Sequence, residues 1–328
     1  MQEKLKFELI ELDKKRLEIR NNYKNALINS VNNRKLYVKD YILFPKTLVS
    51  EDNYQLRYGV SWHRNGFVIK VGSNIIVVDP GVDFVLRLTE SGFNLTDITH
   101  IVITHAHLDH ASAANTLMDF MIRAKASVQI IAPISVYETK VISDFHSGIK
   151  AEFPINHRAI TIDETSEIKL SDGYIMTFVS LIHSVPCYGF KITGNNKIYT
   201  HLSDTSYSTK ILTKNNQEII IKDIKDYVEE GVTIDNHAYI KEFVTGSDML
   251  IANVDSFMYT KNSKTHLPLL DLIEIIKNND VQNVILSHVN PDAELDNEKW
   301  GEKLAEYIFQ VYKIKTYFIE KSGKEIEL

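Results

Sequence analysis

Apolar residues follow two different rhythms along this chain. Over residues 3–32, Leu5, Leu9, Leu12, Ile19, Tyr23 and Ala26 recur at steps of three, four and seven with charged residues between them, which predicts one long amphipathic helix. From residue 37 the pattern shortens to β-branched and aromatic runs at 37–44, 67–71 and 74–79, the last two separated by Gly72-Ser73. Helical stretches then alternate with strands. Helices are expected at 82–90, 110–123, 134–146, 266–278 and 293–312. Strands are expected at 101–104, 128–132, 174–182, 188–193, 197–201, 249–254, 283–287 and 315–320. Hairpins mixed with βα units imply sheet layers covered by helices, an α/β architecture.

The chain has 328 residues, enough for one sizeable core with an appendage. The expected division is an N-terminal helical extension over 1–36 and a single domain over 37–328. There is no repeat and no low-complexity tract, and the Asn- and Lys-rich stretch 205–245 reads as an insertion with helix-like pieces. A composition 44% hydrophobic and 24% charged excludes wholesale disorder. No run of about 18 apolar residues is present, so no membrane partner is expected. The charged first 25 residues do not form a secretory signal, and Cys187 is the only cysteine, which excludes an internal disulfide and a thiolate cluster. The expectation is a cytoplasmic protein.

Charge is unevenly spread. The net charge is −6, but residues 1–40 hold ten basic and six acidic side chains, a local +4, which leaves −10 on the remainder. So acidic a body repels a long phosphate backbone. It does not exclude a small anion, because a metal site brings its own positive charge. With acidic residues interleaved, the N-terminal helix reads as a docking element, either on the core or on a second subunit, rather than a nucleic-acid arm. The expected assembly is a homodimer.

The densest chemistry is Thr104-His105-Ala106-His107-Leu108-Asp109-His110, which follows a short buried strand and precedes the small residues Ala111 to Ala114. Three imidazoles and a carboxylate on one loop can turn several lone pairs toward one point. Such ligands suit zinc, iron or manganese. The bland alternative, a solvated His-rich loop, leaves three rings that repel when protonated and need partners when buried.

This run resembles the signature His-x-His-x-Asp-His of the metallo-β-lactamase superfamily, and the resemblance extends over most of 55–320. Asp79-Pro80-Gly81 is similar to the strand-ending Asp-x-Gly that supports the ligand loop. His183 in LIHSVPCYGFKI, Asp204 in LSDTSY and His288 in VILSHVNPD are similar to the family's later ligand motifs. The resemblance implies a four-layer αββα sandwich and two divalent metal ions, Zn2+ first with Mn2+ or Fe as alternatives. His105, His107 and His183 would hold one ion, Asp109, His110 and His288 the other, and Asp204 would touch both. Each later residue also has an ordinary reading, His183 as a core histidine and Asp204 as a turn or cap. His201, three residues before Asp204, either lies near the site or extends its strand. His63, His100, His146, His157 and His237 lack motif context and read as structural or surface residues.

Two cations about 4 Å apart can ionise a bridging water and stabilise a pentavalent phosphorane, which points to a phosphodiester. His266 in THLPLLDLIEII is similar to the histidine that assists the leaving oxygen in the ribonuclease Z branch, and Asp255 to the acidic residue that orients it. Its other reading is an ordinary helix-start residue. The resemblance thus implies Asp109 and His266 as catalytic residues, attack by a metal-bridging hydroxide, and protonation of the leaving group by His266. The interval from His183 to Asp204 is 21 residues, too short for the basic tRNA-gripping arm of that branch. With the acidic body this favours a smaller phosphodiester, and the resemblance to the arm-less phosphodiesterases of the family implies a small, cyclic nucleotide as the expected substrate, with RNA as the lesser alternative and a metal-retaining scaffold as a third. Tyr188, Phe190, Tyr207, Trp62 and Phe257 are near enough in sequence to the motifs to be weighed as base-stacking residues, against the commoner role of core packing.

Overall fold

The computed structural model describes residues 39–45, 66–148, 157–212, 233–255, 261–277, 279–288, 298–319 and 324–328, with residues 11, 14, 15, 17, 18 and 22. Those six positions are helical; the rest of the expected N-terminal helix lies outside the described residues, as do His63, Trp62 and Phe257.

Two seven-stranded sheets dominate. The first begins with β1 (Tyr41–Phe44), β2 (Phe67–Val71) and β3 (Asn74–Val78). It continues through β4 (His100–Val102), β5 (Val128–Pro133) and β6 (His157–Ile162), and the C-terminal β16 (Lys324–Glu327) closes the other edge beside β1. Strands β3 to β6 run parallel, while β1, β2 and β3 form an antiparallel meander. Helices α1 (Phe84–Glu90), α2 (Leu108–Ala111), α3 (Ala114–Ala124), α4 (Ile134–Glu138) and α5 (Asp144–Ser147) connect these strands.

The second sheet comprises β7 (Glu167–Lys169), β8 (Ile175–Leu181), β9 (Cys187–Gly194), β10 (Lys197–Leu202), β13 (Met249–Asn253), β14 (Asn283–Ser287) and β15 (Lys315–Phe318). Its helices are α6 (Ala238–Val244), α7 (Leu269–Ile276) and α8 (Glu298–Tyr312). Strands β11 (Ser208–Leu212) and β12 (Thr233–Asn236) pair separately, inside the stretch read as an insertion.

Three apolar clusters make the layering explicit. Ile69, Ile76 and Val78 of the first sheet pack against Met176, Phe178, Phe190 and Ile251 of the second. On the first sheet's outer face, Val68, Val77 and Ile101 meet Leu88 of α1 and Leu117 and Met121 of α3. On the second sheet's outer face, Leu250, Ala252 and Leu286 meet Ile240 of α6, Leu272 and Ile275 of α7 and Ile308 of α8. The result is helix, sheet, sheet, helix: a four-layer αββα sandwich. Strands buried on both faces read as unbroken apolar runs rather than alternation, which is why FVIKV and MLIAN carry so little polarity.

Two expected helices are each broken. The stretch 134–146 splits into α4 and α5, because Thr139 Oγ1 donates to Ser135 O at 2.6 Å and Lys140 turns left-handed at φ 61°, ending the first helix. Ser143 then caps the second by accepting from His146 N. The stretch 110–123 divides between α2 and α3, where Ala113 N leaves the helical pattern to donate to Pro80 O. Strands β6, β7 and β16 lie outside the strands expected from pattern; β16, KEIE, buries only Ile326.

One rim of the sandwich collects strand ends. Asp79 follows β3, His105 lies just beyond β4, His183 follows β8, Asp204 follows β10 and His288 follows β14. Polar residues that end buried strands project where backbone leaves the sheet, so both sheets feed one rim.

Candidate metal centre

Asp79 organises the rim from beneath. Its Oδ1 accepts from Thr104 N at 2.7 Å, and its Oδ2 accepts from Thr104 Oγ1 at 2.7 Å and from His110 Nδ1 at 2.9 Å. It does so from a left-handed backbone, φ 44°. Gly66 makes room alongside, since a Cβ there would sit 2.9 Å from Asp79 O and 2.3 Å from the Phe84 ring. With Nδ1 committed to Asp79, His110 turns the buried Nε2 inward, toward Asp204 Oδ2. Thr104 Oγ1 also lies 3.0 Å from His105 Nδ1, which assigns that ring's proton to Nδ1 and its lone pair to Nε2. His183 Nδ1 donates to Thr265 O at 2.7 Å, leaving Nε2 free to face the cluster.

These orientations bring ring nitrogens close together. His107 Nδ1 lies 3.2 Å from His105 Nε2 and 3.1 Å from His183 Nε2. His288 Nε2 and His110 Nε2 are each 3.6 Å from Asp109 Oδ2. Asp204 is the hub: its Oδ2 lies 3.3 Å from His110, 3.5 Å from His266, 3.8 Å from His288, 3.9 Å from His183 and 4.0 Å from His105. Its other oxygen accepts from Asn253 Nδ2 at 2.9 Å, and Ser287 Oγ donates to Asn253 Oδ1.

The local field matches this geometry. Burial pushes His105, His107 and His183 below the usual imidazole range, so the rings stay neutral, the ligating form. Burial also opposes charge on Asp204, but His288 and His110 outweigh it and hold the carboxyl well below the usual range. Asp109 is held at about 2, where the effect of burial is overcome by the neighbouring imidazoles of His288 and His110. His110 itself, desolvated yet facing Asp204 and Asp79, is raised well above the usual range. A field that draws a proton to His110 draws a cation equally well.

The donor set therefore fits divalent metal. His105, His107 and His183 form one triad of inward atoms, and Asp109, His110 and His288 form another, all within 4.8 Å in each group. Nitrogen and oxygen donors without thiolate suit zinc, manganese or iron. Cys187 stands behind His105, 3.6 Å from the outward Nδ1, and is not among the inward atoms.

All seven residues expected as ligands meet at this rim, and His266 joins them. Asp255 is buried, and its backbone N donates to Leu267 O, tying down the strand end next to His266. His201 is a core residue: 1% exposed, it packs edge-on against Phe67 and lies 3.3 Å from Ile251 O through Nδ1. Phe190 and Tyr207 are also 1% exposed and belong to the cores, so they are not stacking surfaces; Tyr188 is half-buried. The supports that sequence reading passed over are Thr104, Ser203 (its Oγ is 2.7 Å from Thr104 Oγ1) and Asn253. The signal for Asn253 was present, a lone polar residue closing the apolar strand MLIAN.

Known proteins are similar to this chain in sequence and in fold. A family model described as "Beta-lactamase superfamily domain" matches residues 74–289. A cAMP/cGMP-dependent 3',5'-cAMP/cGMP phosphodiesterase B of Dictyostelium discoideum is 24% identical over 222 residues, 65% of this chain and 18% of that protein. A ribonuclease Z of Agathobacter rectalis is 31% identical over 123 residues, 37% of this chain and 39% of that protein. The matched region thus spans well under half of either relative's length. Among solved structures, the metallo-beta-lactamase fold protein YhfI from Bacillus subtilis superposes with a TM-score of 0.61 at 16% identity, over 88% of this chain and all of that one. The short form of human tRNase Z gives 0.56 at 14% identity, over 87% of this chain and 98% of that one. With its family model covering well over half the chain and its fold matched over 88% of its length, the protein belongs to the beta-lactamase superfamily and has the metallo-β-lactamase fold.

Proposed function

We propose that the chain is a divalent-metal-dependent phosphodiesterase whose substrate is a small, cyclic nucleotide. The observation that carries this reading is the position of Asp204 Oδ2, within 4.0 Å of five imidazoles. His105, His107 and His183 would hold one ion and Asp109, His110 and His288 the second, with Asp204 between them; Zn2+ is the ion that best suits these ligands. Bound there, divalent cations would polarise phosphoryl oxygens and supply a water acidic enough to attack at neutral pH.

The chain's own groups do the rest. Asp79 and Thr104 fix the tautomers of His110 and His105, and Asn253 fixes the rotation of the Asp204 carboxylate. His266 stands at the solvent side, its side chain 24% exposed, where it can hand a proton to the departing oxygen. The hairpin between His183 and Asp204 bears on substrate size. Strands β9 and β10 are joined by Asn195 and Asn196 alone, both left-handed at φ 49° and 59°, the two-residue turn of a tight hairpin. Such a turn supports a compact substrate, and so does the −10 charge outside residues 1–40. The relative aligned over most of this chain is named as a cyclic-nucleotide phosphodiesterase, which supports the same class.

The test is turnover by metal-analysed protein with cyclic mono- and dinucleotides, a structured RNA and bis-p-nitrophenyl phosphate. Cleavage of a cyclic nucleotide, abolished by chelator and restored by Zn2+, is the expected result. Preferential cleavage of the RNA overturns the substrate class, and inertness toward every phosphodiester overturns the enzyme reading.

A further inference from the structure

The segment that carries His266 is tied to the segment that carries Asp204 at a second point, deep in the fold. Asp271 lies on the first turn of α7, five residues beyond His266, and is 0% exposed. Its Oδ1 accepts from Ser208 Oγ at 2.7 Å and its Oδ2 accepts from Ser208 N at 3.1 Å. Ser208, itself buried, opens β11 four residues beyond Asp204. A carboxylate is an expensive group to bury, so this one would not persist in an apolar helix face without specific partners. The segment 204–208 and the segment 266–271 are thus pinned together at the rim, where His266 Nε2 meets Asp204 Oδ2, and again at Ser208 and Asp271.

The connection between these points is short and stiff. Pro268 fixes the backbone immediately before α7, and the N–H groups of Asp271 and Leu272 both donate to its carbonyl. Leu267 and Leu269 are buried on either side. Little slack remains between the Asp271 carboxylate and the His266 ring, so moving one moves the other. We infer that Asp271 and Ser208 are positioning residues that set how far His266 reaches over Asp204, and so govern proton delivery to the leaving oxygen. This inference rests on the reading of His266 as the proton donor.

The measurement is a ratio: kcat for a 3',5'-cyclic mononucleotide, whose alkoxide leaving group needs a proton, divided by kcat for bis-p-nitrophenyl phosphate, whose phenolate does not. Zn2+-loaded parent protein, Asp271→Asn, Ser208→Ala, Ser208→Thr and His266→Ala are compared at equal metal content. Misplacing a proton donor by a fraction of an ångström costs on the order of tenfold or more in rate. The ratio is expected to fall about tenfold in Asp271→Asn and Ser208→Ala and to recover in Ser208→Thr, which keeps the hydroxyl. Ser208→Ala, the gentler change, carries the test if Asp271→Asn fails to fold. Equal losses on both substrates mean a merely structural role and overturn the inference. So does an unchanged ratio in the clamp variants when His266→Ala lowers it. A ratio unmoved in His266→Ala overturns the proton-donor reading instead.

Discussion

His110 Nδ1 and Asp79 Oδ2 lie 2.9 Å apart, both buried, and this contact decides which nitrogen of His110 faces the site. A carboxylate behind a ligating imidazole typically sets metal affinity by 10–100-fold. Asp79→Asn keeps the shape but can present an N–H where His110 needs an acceptor. It is expected to retain the fold and to lose divalent metal about tenfold more readily to a competing chelator. Unaltered chelator competition would show that Asp79 serves only to hold the backbone of Thr104.

Asp204 is the residue on which the whole centre converges. Asp204→Ala is expected to lower bound metal and phosphodiesterase turnover together, because it removes the carboxylate that lies within 4.0 Å of His105 and His183 of one triad and of His110 and His288 of the other. Metal analysis after gel filtration, set beside turnover of bis-p-nitrophenyl phosphate, checks this. Two ions per chain in the variant would remove the bridging role.

His266→Ala separates binding from chemistry. It lies outside both triads assigned to the ions, so metal content should hold while turnover of a cyclic nucleotide falls by roughly 10²–10⁴-fold. An unchanged rate with that poor leaving group would take His266 out of the reaction.

Burial holds His201 neutral down to about 4, against 6.5 when solvated. The unfolded chain then binds a proton more readily than the folded one, so stability present above pH 6.5 is lost as pH falls toward 4. At pH 5 the loss from this one ring is on the order of 2 kcal/mol. His201→Leu should therefore flatten the fall in urea midpoint between pH 7 and pH 5, measured with chelator present. Parallel slopes for variant and parent would show that the ring is solvated in the folded protein.

Where a single local rule governed an element, sequence was sufficient. Phe67–Val71 and Asn283–Ser287 are short, mainly apolar runs, and both strands form over those residues. The motifs that gather at the rim were equally legible, because His183 and His288 each close a buried strand, and both reach the rim. What stayed hidden depended on individual contacts rather than on apolar pattern. The breaks at Thr139-Lys140 and at Ala113 depend on a side-chain bond to the preceding turn and a backbone bond to Pro80. The strand at 324–327 has too little apolar pattern of its own and exists because β1 offers it an edge. His201 was ambiguous for a related reason: one residue of register decides whether a strand's side chain meets Phe67 or the rim.

His288 takes a left-handed φ of 58° directly after β14, a conformation that costs a non-glycine residue of order 1 kcal/mol. A chain that accepts this penalty has aimed the ring before any ion arrives. Metal uptake should then resemble filling a finished socket rather than gathering loose arms, and asparagine, at ease in that twist, is the substitute that removes the imidazole while leaving the socket's frame undisturbed.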